Sequence, residues 1–189
     1  MSTVGRHQDA TISYVRRGSL TYQARGKSTD LVPGSIIVAP PGVEYVCSHN
    51  HAAWAECISF RFAAELVEQV AWQRPVWQIG CLPPVAELMV FGALAQSARD
   101  GGVDLGLDEI GIALAARTAE IVSGTPARCN ASRSGIDRRR AVDAALWIEA
   151  HSHEMVDLDV LSRQVGLSPY YFLRMFSSVV GITPHQYLI

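Results

Sequence analysis

Two tyrosines and an arginine lie close together near the C-terminal end of this 189-residue chain. They are Tyr170, Tyr171 and Arg174. An arginine can form two parallel hydrogen bonds with guanine, and a tyrosine hydroxyl or ring can reach a phosphate or a thymine methyl group. Contact with DNA is therefore the chemistry that these residue types favour, provided that one helix presents them together.

Two helices joined by a tight turn are predicted to position these side chains. Acidic residues open the first helix, Gly166 stands where a left-handed residue would end it, and Ser168-Pro169 can cap and begin the second. At about 100° per residue, Tyr170, Arg174 and Ser177 fall opposite the apolar position Phe172. Leu173 and Tyr171 lie on the flanks. The predicted DNA-contacting residues are Ser168, Tyr170, Tyr171, Leu173, Arg174 and Ser177.

The sequence of this region resembles the first helix-turn-helix of the AraC family of bacterial transcription regulators. The matching segments are Gly166-Leu-Ser-Pro-Tyr-Tyr-Phe-Leu-Arg-Met-Phe176 and Gly181-Ile-Thr-Pro-His-Gln-Tyr-Leu188. The resemblance implies that Tyr170, Leu173 and Arg174 face base edges in the major groove. Family members carry two such units, so we expect this chain to hold only the first and to bind double-stranded DNA weakly by itself.

The charge distribution also predicts weak attraction to phosphates. The net charge is −2, whereas proteins that bind nucleic acid over a broad surface are usually basic. The segment 133–189 carries six arginines and six acidic residues, so it is neutral. Its one basic cluster, Arg138-Arg139-Arg140, is interpreted either as a phosphate contact or as a solvated helix start.

Short segments rich in β-branched and aromatic residues between Thr11 and Phe62 predict a small barrel or sandwich. Within them, Pro33-Gly-Ser-Ile-Ile-Val-Ala-Pro-Pro-Gly-Val-Glu-Tyr45 is similar to the glycine-proline-glycine motif of cupin barrels. Cupins of this form are the N-terminal sensors of many AraC-type regulators, so the resemblance implies a small organic effector. The predicted ligand-binding residues, chosen by strand position, are Tyr14, Tyr45, Trp54 and Glu56.

No metal, cofactor or catalytic residue is predicted. Tyr45 stands where metal-binding cupins have histidine, and only His7 remains of their two-histidine motif. A first-row metal needs about three or four converging ligands. The four cysteines show no paired spacing, so they are expected to be reduced and mostly buried.

The fold class is predicted to be α+β, with an N-terminal cupin-like β-barrel and packed helices followed by an all-α helix-turn-helix segment. The expected boundaries are 1–124 for the effector-binding and dimerisation domain, 125–136 for a linker and 137–189 for the partial helix-turn-helix domain, whose first helix Asp137 is expected to cap. The apolar helices before Gly124 either only cover the barrel or also form a self-association face. In the resembled regulators such helices pair two subunits, so a homodimer is expected.

The leading hypothesis is a ligand-responsive, DNA-binding transcription regulator of AraC type, apparently truncated, and not an enzyme. The alternative is a small-molecule-binding, dimerising protein that does not bind DNA stably by itself. A third possibility, a cupin enzyme, would require a bound metal. The chain has no apolar signal region and no apolar run of membrane-spanning length, so a cytoplasmic protein without a membrane partner is expected.

Overall fold

The computed structural model describes residues 2–49, 54–69, 74–124, 134–153 and 157–188. The strands in these ranges are β1 (Ser2–Arg6), β2 (Ala10–Arg17), β3 (Leu20–Ala24), β4 (Lys27–Leu31), β5 (Ile36–Ala39), β6 (Glu44–Ser48), β7 (Glu56–Phe62) and β8 (Gly80–Leu82). The helices are α1 (Ala64–Gln69), α2 (Arg74–Gln78), α3 (Ala86–Arg99), α4 (Leu107–Gly124), α5 (Gly135–Ala150), α6 (Leu158–Gln164), α7 (Pro169–Val180) and α8 (Pro184–Leu188). The predicted mixture of strands and helices is therefore confirmed.

The described strands form two antiparallel sheets, not the closed barrel that the cupin-like motif predicted. Sheet 1 has the strand order β1-β6-β3-β4, and sheet 2 has the order β7-β2-β5-β8. The motif residues between β5 and β6 carry the chain from sheet 2 to sheet 1. Such a turn fixes a local change of direction, whereas barrel closure requires hydrogen bonds between distant edge strands. For this reason the motif did not predict closure correctly.

A tight hairpin places β4 at the edge of sheet 1. Arg25 and Gly26 have φ angles of 51° and 73°, and Ala24 pairs with Lys27 across the loop. Positive φ at both loop residues gives the twist that suits a two-residue hairpin. Since β4 is the last strand of the sheet, its outer edge faces the C-terminal helices rather than another strand.

Sheet 2 is covered on both faces. Ile36 and Val38 pack with residues of α3 and α4, while Ile37 belongs to a second core shared with sheet 1. Successive side chains of a strand point to opposite faces, so a strand between two layers must be apolar throughout. This accounts for the uninterrupted burial of β5.

The C-terminal helices form a third core around two phenylalanines. Phe172 and Phe176 are fully buried, and their ring centroids lie 5.6 Å apart. Val32, which follows β4, joins this core. The helices are therefore attached to sheet 1 by apolar packing.

The start of α5 differs from the prediction. Ser134, not Asp137, is the N-cap, and its hydroxyl accepts a hydrogen bond from the Asp137 backbone N–H. The cap lies three residues earlier because serine there satisfies an otherwise unpaired N–H of the first turn. Of the linker predicted at 125–136, residues 125–133 lie outside the described residues, and 134–136 form the cap and first residues of α5.

The contact between α3 and sheet 2 can be tested at Gly92. A Cβ atom there would overlap the Tyr14 ring. We expect Gly92→Ala to lower the free energy of unfolding by about 1–2 kcal/mol, because overpacking against a ring costs about 2–3 kcal/mol, the upper part of the usual range, and helix propensity returns about 1 kcal/mol. Chemical denaturation measures the change.

Gly124→Ala is the matched control, since nothing lies within 4 Å of a Cβ atom at that helix end. A second variant, Tyr14→Leu, should restore part of the lost stability when combined with Gly92→Ala, because it removes the ring that the new methyl group meets. Equal stability of Gly92→Ala and the wild type would contradict the close contact.

Candidate nucleic-acid interface and adjoining cleft

Local signals fix both ends of α7, and its start is the one that the sequence predicted. The Ser168 hydroxyl accepts a hydrogen bond from the Tyr171 backbone N–H at 3.4 Å, and Pro169 is the first helical residue. Gly166 has a φ of 67° at the end of the preceding helix, and Gly181 has a φ of 92° at the end of α7. The 12-residue helix is therefore held at defined ends, with its orientation set by the buried phenylalanines.

The side of α7 opposite Phe172 carries an exposed tyrosine-arginine pair. Tyr170 is 71% exposed, and the Arg174 guanidinium carbon lies 5.8 Å from the centre of the Tyr170 ring. A cation at this distance from a ring is attracted to its face. The contact holds the guanidinium near the helix surface while leaving its hydrogen-bond donors open to an external acceptor.

The other predicted DNA-contacting residues are divided between this face and contacts within the chain. The hydroxyl of Tyr171 donates to the carboxylate of Asp137 in α5 at 3.5 Å, so Tyr171 braces α7 against α5. Leu173 is half-buried on the flank. Ser177 is also half-buried and lines a cleft between α7 and β4. The open part of the face therefore consists of Ser168, Tyr170 and Arg174, with Tyr171 at its edge.

Arg138 has a partner that neither interpretation of the arginine cluster anticipated. Its Nη2 and Nε lie 2.7 and 2.8 Å from Oδ2 of Asp30 in β4. The other carboxylate oxygen of Asp30 accepts a hydrogen bond from the Thr21 hydroxyl. Both charges are partly buried, and the two N–H groups converge on one carboxylate oxygen, so the pair is a charge-assisted contact of modest strength. Arg138 therefore joins α5 to sheet 1. Of the three arginines in the cluster, only Arg139 and Arg140 are left to contact phosphates.

The cleft between β4 and α7 has a volume of about 620 Å³. It is lined by residues of β4 and of the last turn of α7, by Arg138, and by Pro83 and Pro84 after β8. A smaller cavity of about 360 Å³ lies against the same Asp30 and is lined also by Arg139. Both cavities therefore lie where sheet 1 meets the C-terminal helices.

The four predicted ligand-binding residues do not form one pocket. Tyr14 packs among the residues between sheet 2 and the helices, whereas Tyr45 stacks on Tyr22 between the sheets at 5.7 Å. Trp54 is 61% exposed, and Glu56 forms an exposed ion pair with Arg16. None of the four lines either cavity. Strand position could not predict this, because the face that each strand turns to the core depends on which sheet it joins.

A second polar contact joins α5 to the sheets. The Glu149 carboxylate accepts a hydrogen bond from the Gly18 backbone N–H, in the turn between β2 and β3. Burial raises the pKa of this carboxyl above its usual value, and the Glu56 carboxylate adds to the shift. The Gly18 hydrogen bond and the charges of Arg17 and Arg16 oppose it. Ionisation of the half-buried Glu149 therefore lowers the stability of the folded chain at this junction.

The described ranges contain no cluster of three or more His, Cys, Asp or Glu side chains that could hold a metal. In the same ranges, no helix combines the length and apolar character needed to cross a membrane. Cys47, Cys57 and Cys81 are free thiols, and Cys57 is exposed, which differs from the expected burial. Cys129 lies outside the described residues.

Comparison with solved structures finds an AraC-like transcriptional activator and ToxT, each at low identity. The AraC-like transcriptional activator CuxR aligns with a TM-score of 0.46 and 12% identity, over 99% of this chain and 69% of CuxR. ToxT from Vibrio cholerae aligns with a TM-score of 0.44 and 9% identity, over 100% of this chain and 96% of ToxT. ToxT bound to (E)-4-(8-methylnaphthalen-1-yl)but-3-enoic acid aligns with a TM-score of 0.42 and 9% identity, over 100% of this chain and 97% of that one.

No protein-family model and no curated protein matches the sequence. Because the TM-scores and the identities are both low, the function of this chain must be inferred from its own residues.

The half-buried acid predicts a pH-dependent stability. We expect Glu149→Gln to raise the melting temperature at neutral pH, because a neutral amide avoids the desolvation that raises the carboxyl pKa and still accepts the Gly18 hydrogen bond. The pKa in the folded state lies above the usual 4.5, so the folded protein binds this proton more tightly than the unfolded chain. The wild type should therefore lose stability relative to the variant as the pH rises from 4.5 through the folded pKa.

Thermal unfolding across this pH range measures the difference. Below the usual pKa the carboxyl is protonated in both states, so wild type and variant should converge. Glu109→Gln, at an exposed position of α4, is the control. A difference between wild type and Glu149→Gln that does not change with pH would contradict the assignment.

Proposed function

We propose that this chain is a ligand-responsive, DNA-binding transcription regulator of AraC type, with α7 as its recognition helix. The observation that carries the proposal is the exposed pair Tyr170 and Arg174, which lies opposite the buried Phe172 on a helix capped at both ends. Arginine recognises guanine by two parallel hydrogen bonds, and a short rigid helix fits the major groove. In this proposal residues 1–124 sense the effector and dimerise, and residues 137–189 contact DNA.

DNA affinity in this proposal depends on few contacts. Arg138 is neutralised by Asp30, so Arg139 and Arg140 remain beside the start of α5 to meet phosphates. The fewer phosphates a protein neutralises, the lower are both its affinity for DNA and the salt dependence of that affinity. A single chain is therefore expected to bind DNA weakly, and pairing of two chains would increase the affinity by engaging two half-sites.

Replacement of Arg174 tests the recognition helix. We expect Arg174→Ala to weaken binding to a duplex selected from a random-sequence library by about tenfold or more, because a bidentate base contact contributes about 1–3 kcal/mol. The DNA affinity of Arg174→Lys should lie between those of the wild type and Arg174→Ala, since lysine keeps the positive charge but lacks the planar guanidinium group. Fluorescence anisotropy of the labelled duplex measures these affinities.

Arg99→Ala is the matched control, because Arg99 is an exposed arginine at the end of α3, in the predicted sensor domain. Its affinity should equal that of the wild type. Equal losses for Arg99→Ala and Arg174→Ala would show a general charge effect, and no loss for Arg174→Ala would remove α7 as the recognition helix.

The proposed dimer surface lies on α3 and α4. Val90 is 58% exposed and Ile112 is 41% exposed, and the Glu87–Arg117 ion pair joins the two helices. A contiguous apolar patch marks an association surface, and in this proposal Val90 and Ile112 belong to one such patch. Homodimers also suit DNA sites made of two half-sites.

A charge introduced into the proposed dimer surface should weaken self-association. We expect Val90→Asp and Ile112→Asp each to weaken self-association by about tenfold or more, because a carboxylate would lose its hydration in the interface. Sedimentation equilibrium measures the dimer dissociation constant. Val4→Asp, at an exposed position of β1, should leave it unchanged. A wild-type chain that remains monomeric at high concentration would exclude this surface as the dimer contact.

A second function is favoured by the charge balance. The chain has a net charge of −2, and Arg138 is occupied within the fold. A small-molecule-binding, dimerising protein without stable DNA binding of its own is therefore the alternative proposal. Selection of duplexes from the random-sequence library separates the two, because this alternative yields no enriched sequence while dimerisation persists.

A further inference from the structure

An acid of sheet 1 holds one arginine of the C-terminal helices. Nη2 and Nε of Arg138, in the first turn of α5, lie 2.7 and 2.8 Å from Oδ2 of Asp30 in β4. The Thr21 hydroxyl donates to the other carboxylate oxygen at 2.7 Å, so the carboxylate is held from two sides. The Asp30–Arg138 pair therefore joins the part of the chain proposed to sense an effector to the part proposed to contact DNA.

Arg138 lies beside the face of α7 that is proposed to enter the major groove. The preceding residue, Asp137, accepts a hydrogen bond from Tyr171 at the edge of that face, and Arg138 lines a cleft together with Ser177 of α7. In a helix-turn-helix complex the DNA backbone runs past the helices that support the recognition helix. Phosphates would therefore lie near the start of α5. An arginine side chain has several rotatable bonds, so Arg138 can turn from Asp30 to a phosphate while α5 stays in place.

The Asp30–Arg138 pair is accessible enough to exchange partners. The side chain of Arg138 is 32% exposed and that of Asp30 is 22% exposed, so water reaches both. Ion pairs of this kind contribute little to stability, and a DNA phosphate offers arginine an equivalent anion. Asp30 and a phosphate therefore compete for one guanidinium group.

We propose that Asp30 is an autoinhibitory group, which withholds Arg138 from DNA phosphates and so limits the affinity of the chain for DNA. The inference rests on the DNA-binding part of the proposed function and adds a restraint built into the fold. The segment 133–189 carries six arginines and six acidic residues. While Asp30 neutralises one of these arginines, the acidic residues are in excess and phosphates are weakly repelled. Opening of the pair restores the balance and adds one phosphate contact.

Removal of the Asp30 charge tests the restraint. We expect Asp30→Asn to raise the affinity for the selected duplex about threefold to tenfold in about 0.1 M salt, because Arg138 can then neutralise one more phosphate. A plot of log affinity against log salt concentration should become steeper by about one unit. Fluorescence anisotropy at several salt concentrations measures both quantities. Asp9→Asn removes the same charge from an exposed position between β1 and β2 and should leave the slope unchanged.

Arg138→Ala identifies the group that is released. In the wild-type background this substitution should change DNA affinity by less than about twofold, because Asp30 already withholds the arginine. In the Asp30→Asn background it should abolish the whole gain, which a merely structural role of the pair would not produce. Thr21→Val removes one hydrogen bond from Asp30 and leaves both charges in place. It should give a smaller gain in the same direction, and it replaces Asp30→Asn in the test if circular dichroism shows that Asp30→Asn does not fold.

Retention on heparin, a polyanion without base edges, separates this proposal from the proposed function. Asp30→Asn should elute at higher salt than Asp9→Asn, although the two variants have the same net charge. Such a shift without any enriched duplex would support the restraint and remove α7 as a recognition helix. Two results would overturn the restraint while leaving duplex recognition intact: equal gains for the two acid variants, or a gain from Asp30→Asn that persists when Arg138 is alanine.

Discussion

The packing of α5 against both sheet 1 and α7 is the constraint on which the rest of the C-terminal structure depends. On one side Arg138 pairs with Asp30 and Glu149 meets the Gly18 backbone, and on the other α5 shares an apolar core with Phe172. A helix held on two sides transmits a displacement of either neighbour to the other, because close-packed interiors yield little.

The polar contacts between α5 and the sheets contribute little to stability, so they can break at low cost. An ion pair between partly exposed groups is only modestly stabilising, and a half-buried acid such as Glu149 lowers stability when it ionises. The apolar core around Phe172 and Phe176 holds the helices together whether or not these contacts form. In the proposed regulator, an effector would act on these junction contacts and leave both cores packed.

Much of α7 could be predicted from local sequence. Ser168-Pro169 and the spacing of the phenylalanines predicted its start and its buried face, because caps and helical periodicity act within a few residues. The role of Arg138 could not be predicted, because its partner Asp30 lies 108 residues away in the chain. The predicted ligand-binding residues failed to converge for the same reason, since the face that each strand turns to the core depends on distant pairings.

The sequence by itself determined the helix pair, the exposed tyrosine-arginine face and the apolar strand β5, because these depend on neighbouring residues. Only the tertiary structure decided that the strands form two sheets, that Ser177 faces a cleft, and that the single lysine lines that cleft. The last two features arise where β4 meets α7, and their residues lie about 150 positions apart in the chain. Contacts over such a distance are set by how the layers pack, which no local pattern of residue types encodes.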